Sequence, residues 1–265
     1  MCGRYAASAA PDELIEAFDI DHNAMADPGR SLLVTPQQPP VGEPDFNMAP
    51  VKAAPIVLER EAGVRQLRPL TWGLVPSWSK DPRGGARMIN ARAETLLTKP
   101  AYAKAAHARL CLVPATGWYE WQVSLTATGA KGKPRKQPFF VTRRDATPLA
   151  MAGIYEFWKE AQPSSPWLVT FAVITTAAES GLDRIHDRQP LVLEADRWDS
   201  WLDPDRNDTD EIEGLLRPPQ PGRFTTWPVS TAVNAVAHND PSLIDQVPDE
   251  ELVGVLDPTT GELIG

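Results

Sequence analysis

The chain has 265 residues, enough for one large domain or two small ones around a real core. Its 42% hydrophobic content is ordinary for a globular protein, and its proline and glycine stay below the ~25–30% that marks disorder. A net charge of −9 argues against a long-range pull on nucleic acid, yet the acids cluster late, in "DPDRNDTDEIEG" and "DQVPDEE", which leaves room for a local basic groove.

The 27 prolines are about twice the usual share of roughly 5%, and they point to irregular connections and short strands. Pro11, Asp12 and Glu13 start a helix, with acids at its positive end and Leu14, Ile15 and Phe18 as an apolar face. Residues 21–45 form a Pro/Gly-rich excursion. "PIVLER" and "VRQLRPLTWGLVP" predict two strands turning around "EAG". "ARAETLLTKPAYAKAA" has helical propensity broken at Pro100, which makes Asn90 a candidate helix cap. "RLCLVPATGWYEW" and "QPFFVTR" are strands, and the basic insert "SLTATGAKGKPRK" between them is expected to be a long hairpin loop. "WLVTFAVITT" is the most apolar strand, and short helices are expected near "EADRWDSWL" and "TDEIEGLL". The tail, about 249–265, is expected to be peripheral and only partly ordered. No repeat or linker divides the chain, so the expectation is one α+β domain over 1–265, built on a curved mixed or antiparallel sheet or barrel with short peripheral helices.

Two cysteines, Cys2 and Cys111, are too few for a disulfide framework and favour a reducing compartment. With no signal-like run and no 18 consecutive apolar residues, a cytosolic protein with no membrane contact is expected. No zinc-ligand spacing, phosphate-cradling loop or dinucleotide fingerprint occurs, so no metal and no cofactor is expected, and chemistry must come from side chains and the terminus.

"MCGRY" offers that chemistry. Removal of Met1 would leave Cys2 with an α-amine beside its thiol, a pair able to condense with an aldehyde and close a thiazolidine ring. An α-amine titrates near ~7.7–8.0, so roughly a tenth is nucleophilic at pH 7 without special tuning. Glu120, between Tyr119 and Trp121, is either a buried carboxyl of raised pKa suited to moving protons or a solvent-facing strand residue. His186 precedes Asp187 and Arg188 and reads equally as a loop hydrogen-bonder or a catalyst.

"MCGRY", "FNMAP", "WGLVPSW", "NARAE", "RLCLVPATGWYEW", "PFFV", "AGIYEFW", "ITT", "IHDRQP" and "VSTAVN" follow one another over almost the whole chain. In that series the sequence resembles the SOS-response-associated peptidase (SRAP) family. The resemblance implies covalent capture of abasic sites in single-stranded DNA, and a peptidase activity that would include removal of the protein's own initiator methionine. Carried over by motif, it places Cys2, Asn90, Glu120 and His186 in the active site. Gln189 stands where the family's histidine motif usually has methionine, which puts local packing in question more than chemistry. In the implied reaction His186 assists opening of the sugar ring, Glu120 shuttles protons, Asn90 orients the terminus and the Cys2 thiol closes the ring; Glu120 and His186 could exchange duties. Arg4, Arg87, Arg92 and Arg188 are phosphate candidates, with Asn47, Pro50, Trp72 and Trp78 shaping the groove, although Trp72 and Trp78 fit a core equally well. The competing readings are a cysteine peptidase or amidohydrolase and a non-catalytic binder of damaged single strands. Nothing demands more than a monomer.

Overall fold

A computed structural model describes residues 2–27, 30–33, 35–129, 132–160, 164–206 and 208–264. In chain order the strands are β1 (Tyr5–Ala7), β2 (His22–Asn23), β3 (Asp45–Met48), β4 (Ala53–Glu59), β5 (Arg65–Trp72), β6 (Asn90–Arg92), β7 (Leu110–Ala115) and β8 (Gly117–Thr128). They continue with β9 (Pro134–Arg143), β10 (Leu149–Trp158), β11 (Leu168–Ala177), β12 (Arg188–Pro190), β13 (Phe224–Pro228), β14 (Val255–Leu256) and β15 (Leu263–Ile264). The α-helices are short: α1 (Pro11–Ala17), α2 (Ala103–Ala108), α3 (Trp198–Leu202) and α4 (Thr209–Leu215).

Two sheets share the core. One runs β13-β9-β8-β1-β3. In the other, β11-β10-β7-β4-β5 closes into a barrel, because Thr170 and Phe171 of β11 also pair in parallel with Thr71 and Trp72 of β5. This is the α+β, barrel-like architecture expected from the strand-rich sequence.

Side chains alternate along a strand, and that period of two sorts the barrel residues into two layers. Ile56 and Leu58, Cys111 and Val113, Met151 and Tyr155, and Phe171 and Val173 point to one cluster, which also holds Cys2, Tyr5, Trp118 and Phe139 of the other sheet. Their neighbours Val57, Leu112, Ala150, Ala152, Ala172 and Ile174 face the helices, with Leu14, Phe18, Trp201 and Ile212. Gly153 of β10 is glycine for a steric reason: an added Cβ would lie 2.9 Å from the Cys111 sulfur.

Several elements depart from expectation. "NARAE" does not begin a helix: Asn90, Ala91 and Arg92 form β6, parallel to Val173, Ile174 and Thr175 of β11, so Asn90 is no helix cap. Pairing with the most apolar strand, and burial of Ala91, outweigh local helical propensity. Only Ala103–Ala108 of that segment is α-helical. The basic insert is mostly strand, since β8 extends to Thr128 and β9 begins at Pro134; residues 130 and 131 lie outside the described residues. Gln122 and Ser124 of this extension are buried because the last part of the chain, with β14 and β15 antiparallel, docks on them. In the excursion of 21–45, His22 and Asn23 add an edge strand to β5.

Candidate active site

Cys2, Asn90 and Glu120 come from distant parts of the sequence and meet at the shared core. β6 aims the Asn90 side chain at the first residues, where its Nδ2 donates to the Cys2 carbonyl at 2.7 Å. The Tyr102 hydroxyl donates to the Asn90 carbonyl at 3.0 Å, which ties that strand to the start of α2. Among the described residues, the buried Oδ1 of Asn90 has no hydrogen-bond partner. Cys2 is wholly buried, and its sulfur lies 3.9 Å from the Arg4 carbonyl.

Glu120 is an inward residue of β8. Trp118 on the same face lies in the shared core, whereas Tyr119 packs in a separate cluster behind the sheet. Glu120 is 4% exposed, so the solvent-facing alternative is excluded. Burial pushes its carboxyl up to about 7, against the opposing charge of the amino terminus. Burial holds the Cys2 thiol far above its usual value, and the Glu120 charge adds to that. His186, on the turn between β11 and β12, titrates below its ordinary value, first through burial and then through the amino-terminal charge, with Asp187 opposing. Lys136 and the amino-terminal charge act on both Glu120 and His186, and Asp187 also raises Glu120. Glu120 further shares a small cavity with Leu182, Ile185, Arg188 and Gln189, the residues that flank His186. Cys2, Glu120 and His186 thus fall in one electrostatic neighbourhood, and Asn90 joins it through its bond to the Cys2 carbonyl.

The His186 ring is set by its own turn. The Arg188 backbone N–H donates to Nδ1 at 3.0 Å, which assigns the neutral ring a proton on Nε2. Nδ1 also lies 2.8 Å from an Asp187 carboxylate oxygen, a contact that suits the protonated ring. The lowered pKa favours the neutral form near pH 7. Gln189 is accommodated: it is buried, and its Oε1 accepts from the Glu179 N–H at 2.9 Å.

The groove candidates divide. Trp72 is a core residue with no exposed surface. It stacks on Phe171 and meets Tyr5 edge-on, and its Nε1 donates to the Ile89 carbonyl at 2.9 Å. Of the two readings left open for it, groove or core, its place inside the barrel gives the core. Asn47 is likewise wholly buried and acts as a bracket: its Nδ2 donates to the carbonyls of Val233, Ala235 and His238, and its Oδ1 accepts from Arg4 at 2.6 Å. Arg4 also donates to the Val233 carbonyl at 2.9 Å. Arg188 grips Glu94 through both terminal nitrogens, at 2.7 and 2.9 Å, and bonds the Thr175 carbonyl. Trp78, by contrast, is 68% exposed. Arg87 and Arg92 are exposed as well and form no ion pair with the described residues, and Pro50 is half-buried.

Sequence reasoning missed Gln122. It lies two residues beyond Glu120, so the alternation of β8 gave a signal for its orientation but none for its partners. Its Nε2 donates to the Arg184 carbonyl at 3.1 Å and to the Leu256 carbonyl at 3.0 Å, and its Oε1 accepts from the Leu256 N–H at 2.6 Å. Among the described residues no three His, Cys, Asp or Glu side chains could hold a metal ion, and no helix is long and apolar enough to cross a membrane.

The fold recurs in a solved protein from Bacteroides thetaiotaomicron, with a TM-score of 0.69 and 23% identity, covering 93% of this chain and 100% of that one. A phage-related protein from Bordetella bronchiseptica, 27% identical, gives a TM-score of 0.61 over 93% of this chain and 100% of its own. By sequence, the chain is 34% identical over 247 residues to the abasic site processing protein YoqW of Bacillus subtilis, covering 92% of this chain and 99% of that protein. It is 31% identical over 254 residues to the abasic site processing protein YedK of Escherichia coli, covering 93% and 100%. The family model described as SOS response associated peptidase matches residues 1–236, nearly the whole described sheet framework, and on that match the chain belongs to the SRAP family.

Proposed function

We propose that this protein captures abasic sites in single-stranded DNA by forming a thiazolidine at Cys2 after Met1 has been removed. The observation that carries the reading is the bond from Asn90 Nδ2 to the Cys2 carbonyl, which holds the aminothiol residue in the charge neighbourhood of Glu120. The names of the relatives, abasic site processing proteins, support the choice of lesion.

The open-chain sugar offers an aldehyde. The Cys2 amine adds to that carbonyl carbon and water leaves, giving an imine; the thiol then adds across the C=N bond, sulfur to carbon and proton to nitrogen. Glu120, with its carboxyl near 7, is protonated and ionised in comparable amounts at neutral pH. It can therefore protonate the departing hydroxyl and accept the thiol proton. His186 presents Nε2–H to the sugar ring oxygen as the ring opens. The exposed Trp78, Arg87 and Arg92, with the half-buried Pro50, supply contacts to bases and phosphates. Arg4 and Arg188, already bonded within the protein, serve first to hold Asn47 and the His186 turn. A monomer acting in the cytosol suffices for this chemistry.

Burial bears on the rival peptidase reading. A thiol held so high supplies little thiolate for attack on an amide at neutral pH, whereas a terminal amine needs no such ionisation. Removal of Met1 would then be a maturation step.

Incubation with a single-stranded oligonucleotide carrying one abasic site, followed by denaturing electrophoresis, tests the proposal. Mature protein should give a shifted band that survives denaturation, and Cys2→Ser should give none, because an N-terminal serine keeps the amine but has no thiol. A stable band with Cys2→Ser, or no band with the parent, rejects the thiazolidine.

A further inference from the structure

The stretch matched to the family ends at residue 236, yet the chain beyond it is built into the back of the site. Val253, Gly254 and Leu256 bond to the outer half of β8, and Leu263–Ile264 fold back on Val255–Leu256. The Ser124 hydroxyl donates to the Val253 carbonyl at 2.8 Å, and the Leu125 N–H donates to the Gly254 carbonyl at 2.8 Å. Gly254 has φ +61°, and a Cβ there would lie 2.0 Å from the Thr126 hydroxyl oxygen, so only glycine allows this approach. Val255 is wholly buried.

The same segment holds the His186 turn from its other side. Arg184 Nη1 donates to the carbonyls of Pro258 and Thr259, the second at 3.2 Å. The Arg184 carbonyl in turn accepts from Gln122, whose amide also joins both backbone groups of Leu256. Gln122 is 3% exposed, so its three bonds are partly shielded from water and cost more to break than a surface bond. One side chain therefore links three things: the strand of Glu120, the turn of His186 and the end of the chain. The His186 N–H closes the turn on the Leu182 carbonyl at 3.0 Å, which leaves little slack between Arg184 and the ring.

We propose that residues 252–264 are a positioning part of this site, fixing the His186 turn against the Glu120 strand through Gln122 and Arg184. What the two side chains do there rests on the reading of the site given above; the clamp itself does not. Without it, the turn loses its anchor on β8, and His186 moves relative to the groups that face it: Asp187 on its own turn, Glu120 on β8, Lys136 on β9, and the amino terminus.

Two variants test this. Gln122→Met keeps the volume and removes all three hydrogen bonds, while Arg184→Ala, at an exposed position, removes only the side-chain bonds to the Pro258 and Thr259 carbonyls and leaves the Gln122 bonds and the core intact. The first readout needs no DNA: the titration of the His186 ring, followed by NMR in each folded variant. Its midpoint should move from its lowered value toward the ordinary ~6.5. The second is the rate of adduct formation with an abasic single strand, which should fall about ten- to hundredfold with Gln122→Met, while affinity for an undamaged strand stays unchanged. A shifted midpoint in a protein that forms no adduct would retain the clamp and remove the reaction. An unchanged midpoint and rate in both folded variants would overturn the clamp, and an unchanged midpoint and rate in folded Arg184→Ala removes Arg184 from it, even if Gln122→Met fails to fold.

Discussion

Glu120 shows how one buried carboxyl links stability to chemistry. Its folded pKa of about 7 lies above the ordinary 4.5. Between those values the folded chain keeps a proton that the unfolded chain has released, so stability falls as pH rises through this window and is fully present below it. The lost stabilisation is on the order of 3 kcal/mol if the whole shift is realised. Glu120→Gln cannot ionise, so its melting temperature relative to the parent should climb between pH 4.5 and 7.5. Parallel melting temperatures over that range would show that Glu120 does not titrate there. The same variant should slow adduct formation by roughly 10²–10⁴-fold, the usual weight of a general acid–base group. The alternation of "GWYEW" left this side chain facing either way; the packing of Trp118 into the shared core decided it.

At the level of elements, β6 is the instructive case. Its residues favour a helix by composition, and a local reading of "NARAETLL" finds one. Instead Asn90–Arg92 extends the pairing of β11 past the end of β5, and the helix is deferred to Ala103. As a strand, β6 places Asn90 and Arg92 two residues apart on one side, Asn90 directed at Cys2 and Arg92 exposed. Arg92→Ala should therefore weaken binding of an undamaged single strand and lower the slope of log affinity against log salt by about 0.7, the share of one phosphate contact. A slope equal to the parent's would place Arg92 away from phosphate. The β8–β9 ribbon taught a second lesson: polar residues beyond Trp121 form strand because a distant segment covers them, and no local pattern reveals that partner.

For the whole molecule, packing of the closed barrel against the second sheet is what brings the candidate residues together. Trp72 lies at its seam, where β5 meets β11, stacked on Phe171 and capped by Tyr5 near Cys2. Trp72→Ala should cost about 3–5 kcal/mol in a denaturant titration, the penalty of a large core deletion. A loss below ~1 kcal/mol would mean that the seam repacks freely. The sequence by itself determined the chain's strand-rich class, its principal hairpins and the short helices, because alternation and turn residues are local properties, and its motifs singled out Cys2, Asn90, Glu120 and His186 as candidates. Tertiary structure alone decided that Trp72 is buried and Trp78 exposed, that Asn47 is a bracket, that Asn90 belongs to a strand, and that Leu256, Pro258 and Thr259 bond to Gln122 and Arg184. Those outcomes depend on barrel closure and on contacts between residues far apart in sequence, and such contacts leave no local pattern to read.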